Sequence, residues 1–126
     1  GTALMEHIQR TTPSSGGESN VRRIEAYLER HYADENISLS DMARRFHLHV
    51  TYLSELFKKT TGKNYTEYVT EIRIKKAKEL LEHTELRVSD VAEMTGFSNA
   101  NYFSQVFKKM TGLSPNEYRQ RNTRKN

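Results

Sequence analysis

The chain has 126 residues, 35% of them hydrophobic and 29% charged, which allows one domain, or two very small ones, around modest cores. Cys and Trp are absent, which excludes disulfide frameworks, thiolate zinc sites and cysteine nucleophiles and is compatible with a reducing, cytoplasmic setting. The net charge is +4, and its cations are grouped at Lys58-Lys59, Lys108-Lys109 and Arg119-Arg121-Arg124-Lys125 while the charged residues from Glu79 to Glu93 are mostly acids, a placement that fits a polyanionic partner.

Residues 1–20 read as a disordered tail and linker. TTPSSGGESN at 11–20 has linker composition, and 1–10 is too short for an independent element. The chain opens on Gly1 rather than Met, so this stretch is expected to be the cut end of a longer protein plus a cloning residue. No charged-then-apolar leader marks the chain for export, and no run approaches the roughly 20 apolar residues of a membrane span. Val21, Ile24, Tyr27 and Leu28 recur at helical spacing and predict an amphipathic helix to about Tyr32 that packs on the unit beginning near Ile37.

The most informative feature is an internal repeat. Residues 37–68 read ISLSDMARRFHLHVTYLSELFKKTTGKNYTEY, and residues 86–118 read LRVSDVAEMTGFSNANYFSQVFKKMTGLSPNEY. With one residue inserted in the second copy, Ser40, Asp41 and Ala43 match Ser89, Asp90 and Ala92. Beyond it, Tyr52, Ser54, Phe57, Lys58, Lys59, Thr61, Gly62, Glu67 and Tyr68 match Tyr102, Ser104, Phe107, Lys108, Lys109, Thr111, Gly112, Glu117 and Tyr118.

Each copy parses as helix, tight turn, longer helix and stop, the helix-turn-helix pattern. Ser40 and Ser89 are the expected N-caps, with Asp41 and Asp90 placed where the helix dipole is positive. Met42, Ala43 and Phe46, and Val91, Ala92 and Met94, form the expected inward stripes. The turn falls on His47 in the first copy and Gly96 in the second; a positive φ there is free for glycine and strains His47. Leu53, Leu56 and Phe57, and Phe103, Val106 and Phe107, face inward from the second helices. Gly62 and Gly112 close those helices, with the lysine pairs in their last turns.

After each glycine another helix begins. Asn64 to Glu67 and Ser114 to Glu117 have the capping-box pattern, and Pro115 sits where its missing N–H costs nothing. The helix from about Tyr65 to Leu81 has an apolar stripe of Tyr68, Val69, Ile72, Ile74, Ala77, Leu80 and Leu81. At 1.5 Å per residue it spans roughly 25–30 Å, close to one turn of B-DNA at about 34 Å, so it can serve as a connector between two DNA-reading units. The expected organisation is 1–20 tail, 21–63 first subdomain, 64–83 connector helix, 84–121 second subdomain and 122–126 basic tail, an all-α fold.

On the strings SLSDMA, YLSELFKKTTG, YVTEIRIKKAKELL, VSDVAEMTGFSNANYFSQVFKKMTG and SPNEYR, the chain resembles the DNA-binding domain of the AraC/XylS transcription-regulator family over roughly residues 21–120. The wording is also similar to the subset attached to response-regulator receivers or sensory domains. The resemblance implies about seven helices in two subdomains, binding to adjacent major grooves, and transcription regulation that is usually activation. It also implies RNA polymerase as a partner beside double-stranded DNA, an upstream regulatory domain, and a cytoplasmic, nucleoid-associated protein. Neither a membrane nor a cofactor is expected.

Carried onto this chain, the family's base-reading face falls on Thr51, Tyr52, Ser54 and Glu55, and on Ala100, Asn101, Tyr102, Ser104 and Gln105. Asn101 and Gln105 have the amide geometry that matches adenine, while Ser54 and Ser104 can bond either way. Glu55 stands where members often have a basic residue; it is either a solvated acid or an acceptor for cytosine N4. Ser40, Lys58, Lys59, Ser89, Asn99, Lys108 and Lys109 are the expected phosphate contacts, and Arg44 and Arg45 are solvated or phosphate-facing. A connector of fixed length also implies a bent duplex.

Two other functional classes fit less well. Both copies repeat structural residues rather than titratable ones, so an enzyme is not expected; Asp41 and Asp90 read as helix-start charges, not an acid/base pair. His47 and His49 lack the further ligands of a metal site. The alternative is a protein-interaction module contacting RNA polymerase with mainly non-specific DNA affinity. Faces carrying Asn, Gln, Ser and Thr with few large apolar anchors argue against it as the main role.

Overall fold

The computed structural model describes the backbone of residues 13–124 and the side chains of residues 17–122. Within them lie seven helices and no strands: α1 (Pro13–His31), α2 (Leu39–Arg45), α3 (Val50–Thr61), α4 (Tyr65–His83), α5 (Val88–Met94), α6 (Ala100–Thr111) and α7 (Pro115–Arg124). Their contacts separate into two units, one of residues 13–30 and 37–68, the other of residues 31–36 and 69–124.

In the first unit α1 buries Val21, Ile24 and Leu28, the stripe expected from their spacing. The helix begins at Pro13, eight residues ahead of that stripe, and so takes in SSGGESN. Proline is suited to a first helical turn, where its missing N–H and fixed φ cost nothing. Further along, Gly17 is buried against Leu56, and a Cβ on it would stand 2.8 Å from Leu56 Cδ1. What reads as linker composition is therefore helix that packs closely because it lacks a side chain. Residues 1–12 of the expected tail, and residues 125–126 of the basic tail, lie outside the described residues.

α2 buries Met42 and Ala43, and α3 buries Leu53 and Phe57. The Phe57 ring meets Tyr65 at 5.9 Å and the edge of Tyr68 at 5.1 Å. Tyr68 is half-buried, and its hydroxyl donates to Glu25 Oε2 on α1 at 3.0 Å.

The second unit repeats this plan. Ile74, Ala77 and Leu81 of α4 join Val91, Ala92, Phe97, Phe103 and Phe107 in one buried cluster, with Leu80, Leu86, Val106 and Tyr118 partly buried against it. Phe97, Phe103, Phe107 and Tyr118 form a chain of ring contacts at 5.1, 5.7 and 5.4 Å. The Tyr118 hydroxyl donates to Glu82 Oε2 on α4, as Tyr68 does to Glu25. Met94, expected on the inward stripe, is 49% exposed. The inward place goes to Thr95, fully buried, whose hydroxyl returns to Val91 O at 2.8 Å and so meets its own polar demand.

The stops fall as expected. Gly62 and Gly112 end α3 and α6 in the left-handed region, each N–H bonding the carbonyl four residues back. Both capping boxes are reciprocal: Asn64 with Glu67 and Ser114 with Glu117 exchange backbone N–H bonds. The Ser114 backbone N–H, then its hydroxyl, hold the exposed Glu117 carboxyl below its usual range.

The tyrosine–glutamate pairs carry a pH prediction. Burial, then the bond to Glu82 and its charge, push Tyr118 from 10.0 up to about 12. Because the folded value exceeds the unfolded one, this contribution is complete below pH 10 and is lost as pH rises through about 12. Tyr118→Phe should cost about 1 kcal/mol at pH 7 through the lost hydrogen bond. Its deficit should shrink at alkaline pH, as urea unfolding at pH 7 and 11 would show; a deficit equal at both would remove the phenol from the linkage.

Candidate nucleic-acid interface

Each unit presents a helix-turn-helix whose turn is set by the backbone. After α2, His47 N–H bonds Arg44 O at 3.3 Å and Leu48 N–H bonds Ala43 O at 2.8 Å. After α5, Gly96 N–H bonds Glu93 O at 3.2 Å and Phe97 N–H bonds Ala92 O at 2.9 Å. This paired pattern requires a left-handed residue one place past the C-cap residue, here Phe46 and Thr95. His47 supplies it at φ 56° and Gly96 at φ 94°.

The helix starts differ from expectation. Ser38, not Ser40, caps α2, its hydroxyl accepting from Asp41 N–H at 3.1 Å. Arg87 occupies the matching place before α5, makes no side-chain cap, and donates to Asp90 Oδ2 at 3.4 Å. Ser40 and Ser89 are thus exposed residues inside the first turns. The reason is that Leu39 and Val88 already take helical conformation, which moves each start forward.

His49 caps α3, its Nδ1 accepting from Thr51 N–H at 3.4 Å. Asn99 caps α6, its Oδ1 accepting from Tyr102 N–H at 3.0 Å. The residue inserted in the second copy thus lets a better capping side chain precede α6. Nothing in the sequence announces the cap at His49, since histidine is not among the usual N-cap residues.

From these caps the helices run outward with matching faces. On α3, Thr51, Ser54 and Glu55 are exposed, Tyr52 is 45% exposed, and Lys58 and Lys59 are exposed in the last turn. On α6, Asn101 and Gln105 are exposed, Tyr102 is 59% exposed, and Lys108 and Lys109 occupy the last turn. Spacing of three, four and seven residues puts Thr51, Ser54, Glu55 and Lys58 on one side of α3, and Asn101, Ser104, Gln105 and Lys108 on one side of α6. Ala100 and Ser104 are half-buried, and Ala100 packs on the core cluster, so these two offer less surface than their neighbours. Asn99 stays exposed with its amide N–H groups free of the cap bond.

Around these faces, Asp41 holds exposed Arg44 and Arg45 at 3.9 and 3.5 Å, contacts worth little to stability at such exposure. Arg45 also lies 4.8 Å over the Tyr27 ring. An open crevice of about 350 Å³ beside α6 is lined by Glu35, Ser89, Ala92, Glu93, Phe97, Ser98 and Ala100. Another open hollow, along α1 from Glu18 to Ala26, includes none of the expected DNA-contacting residues. Among the described residues no three His, Cys, Asp or Glu side chains gather as a metal site, and no helix is long and apolar enough to cross a membrane.

Two equivalent helix-turn-helix units in one chain, each with an exposed polar second helix, define a double helix-turn-helix domain. A helix-turn-helix domain family matches residues 42–121. The chain is 36% identical over 119 residues to the transcriptional activator RhaS of Escherichia coli, covering 94% of this chain and 40% of RhaS. It is 39% identical over 90 residues to the uncharacterized HTH-type transcriptional regulator YtdP of Bacillus subtilis, covering 71% of this chain and 12% of YtdP. Among solved structures it is similar to the C-terminal domain of AraT, a response regulator from Geobacillus stearothermophilus. That match has TM-score 0.78 and 38% identity, and covers 80% of this chain and 84% of that one. The chain belongs to the AraC/XylS family of helix-turn-helix DNA-binding domains of transcription regulators, and the family is not an enzyme family. It spans well under half the length of these curated relatives.

The two caps predict unequal losses. Asn99→Ala should destabilise the domain by about 1 kcal/mol, and His49→Ala by less, because its longer bond is weaker. Thermal unfolding of both variants checks the order; the reverse order would show that the His49 cap is the stronger one.

Proposed function

We propose that this chain binds double-stranded DNA sequence-specifically, placing α3 and α6 in successive major grooves as the output domain of a transcription activator. The observation that carries the reading is the repeated layout of the two helices. Each has a capped start, a polar exposed face and a lysine pair at its far end. In that layout phosphates bind to cations and to backbone N–H groups at helix starts, and base edges meet the side chains between them.

Base readout is assigned to Thr51, Tyr52, Ser54 and Glu55 on α3, and to Ala100, Asn101, Tyr102, Ser104 and Gln105 on α6. Asn101 and Gln105 supply paired donor and acceptor groups for adenine, and Glu55 an acceptor for cytosine. Tyr52 and Tyr102, at matched positions, offer exposed aromatic surface beside the polar contacts. Phosphate contact is assigned to Ser40, Lys58, Lys59, Ser89, Asn99, Lys108 and Lys109. Ser40 and Ser89 serve as exposed hydroxyls of the first turns, where the helix dipole favours an anion.

Activation and contact with RNA polymerase draw support from the likeness to RhaS, a transcriptional activator. An upstream regulatory domain draws support from the likeness to the C-terminal domain of a response regulator. The repeat assigns residues 21–63 and 84–121 to the two subdomains and 64–83 to their connector, with α1 extending the first back to Pro13 and residues 31–36 grouping with the second unit. On this reading the protein works at the nucleoid in the cytoplasm.

Selection of sites from randomised duplex DNA tests the proposal. Two enriched blocks about one helical turn apart are expected; intact folding with no enriched sequence would reject specific readout. Asn101→Ala or Gln105→Ala should cost about 1–3 kcal/mol and relax one base position, whereas uniform weakening over all sequences would remove that side chain from direct readout. Lys109→Ala should lower the slope of log affinity against log salt by about one unit with base preference unchanged. An unaltered slope would make that lysine purely structural.

A further inference from the structure

The second unit contains a clamp with no counterpart in the sequence repeat. Residues 31–36, which join α1 to α2 in the chain, belong to the second unit. Arg73 of α4 holds them: its Nε donates to Tyr32 O at 2.9 Å, and an Nη donates to Asp34 O at 3.0 Å. The same guanidinium lies 5.9 Å over the Phe97 ring, and Lys76 lies 5.8 Å over the Tyr32 ring. Gly96, the left-handed turn residue, closes against this group. A Cβ there would stand 2.5 Å from Tyr32 O and 2.7 Å from Arg73 Nε. Gly96 is buried, whereas His47 at the matching place in the first unit is exposed.

We propose that Arg73 is a positioning residue for base readout by the second unit. By holding residues 31–36 against the Gly96 turn, it fixes the direction in which α6 leaves that turn. The inference rests on the DNA-binding function proposed for α6 and assigns a role there to a side chain outside the residues assigned to DNA contact. The planar fork reaches two carbonyls at once, which a point-charge ammonium on a flexible stem cannot reproduce. The clamped segment also borders the reading surface: Glu35 lines the same crevice as Ser89, Ser98 and Ala100. A loosened segment would therefore shift the start of α6 and disturb the surface next to it.

The test uses the whole chain in two arms. Without DNA, Arg73→Gln should speed amide exchange at Gly96 and Phe97 by about tenfold while the helical circular dichroism is retained. With DNA, discrimination between matched and mismatched bases should fall about tenfold at the block read by α6. At the block read by α3, and in the salt slope, the change should stay within about twofold. Arg73→Lys, which keeps the charge but loses the planar fork, should fall between Gln and wild type. It also carries the test if the glutamine variant does not fold.

Unchanged exchange at Gly96 overturns the clamp. Equal loss of discrimination at both blocks reduces Arg73 to a general structural role and overturns the proposal as well. If the wild-type chain itself enriches no sequence, the DNA reading fails and the readout proposal falls with it. The exchange arm then still decides separately whether Arg73 holds the turn.

Discussion

The arrangement of each unit depends on one backbone constraint, a single left-handed residue between two helices. At that residue the first helix cannot continue, and its exposed carbonyls would be left without partners unless the next amides fold back onto them. Leu48 and Phe97 make that return to Ala43 and Ala92, which also drives their own side chains inward. The second helix then starts from a fixed position, and the residues at its beginning are aimed outward. Phe103 and Phe107 can meet the core only if this angle is right, so packing and turn geometry reinforce each other.

A second constraint is the reuse of one helix. Tyr68, near the start of α4, closes on Phe57 and donates to Glu25 of α1. Tyr118, near the start of α7, closes on Phe107 and donates to Glu82 near the end of α4. α4 therefore plays the part of α7 at its beginning and of α1 at its end. Two four-helix units are made from seven helices, which is how small a core so polar a chain can support. The cost is that α4 carries two obligations in 19 residues, which explains why so many of its side chains are buried or half-buried.

Much of this was legible in the sequence because the signals are local and doubled. The glycine stops, capping boxes and inward phenylalanines each depend on residues within one or two turns and each occurs in both copies, and the proline at the start of α7 marks its helix start just as locally. The left-handed strain at His47 could be read by aligning it with Gly96. Sequence and structure part where a local signal is outcompeted by packing. Linker-like SSGG is helical in α1, where Gly17 packs on Leu56. Met94 is apolar yet exposed, because Thr95 returns its hydroxyl to its own helix and takes the buried place. The Arg73 contacts could not be read at all. They join a side chain to backbone carbonyls about forty residues earlier, and carbonyls leave no mark on sequence.

The two units share a plan but solve its hardest point with different chemistry. In the second, glycine takes the left-handed turn without steric cost, asparagine caps α6 at 3.0 Å, and four rings meet in series behind it in tilted and edge-on contacts. In the first, histidine takes the turn at a cost on the order of 1 kcal/mol, and a second histidine caps α3 with a bond of 3.4 Å. The start of α3 is therefore held by weaker local terms than the start of α6. A helix start so held has less local restraint than one fixed by the Gly96 turn and the Asn99 cap. The difference lies at the turn and the cap, where the repeat diverges, and not in the lysine pairs or the buried phenylalanines, where it is kept.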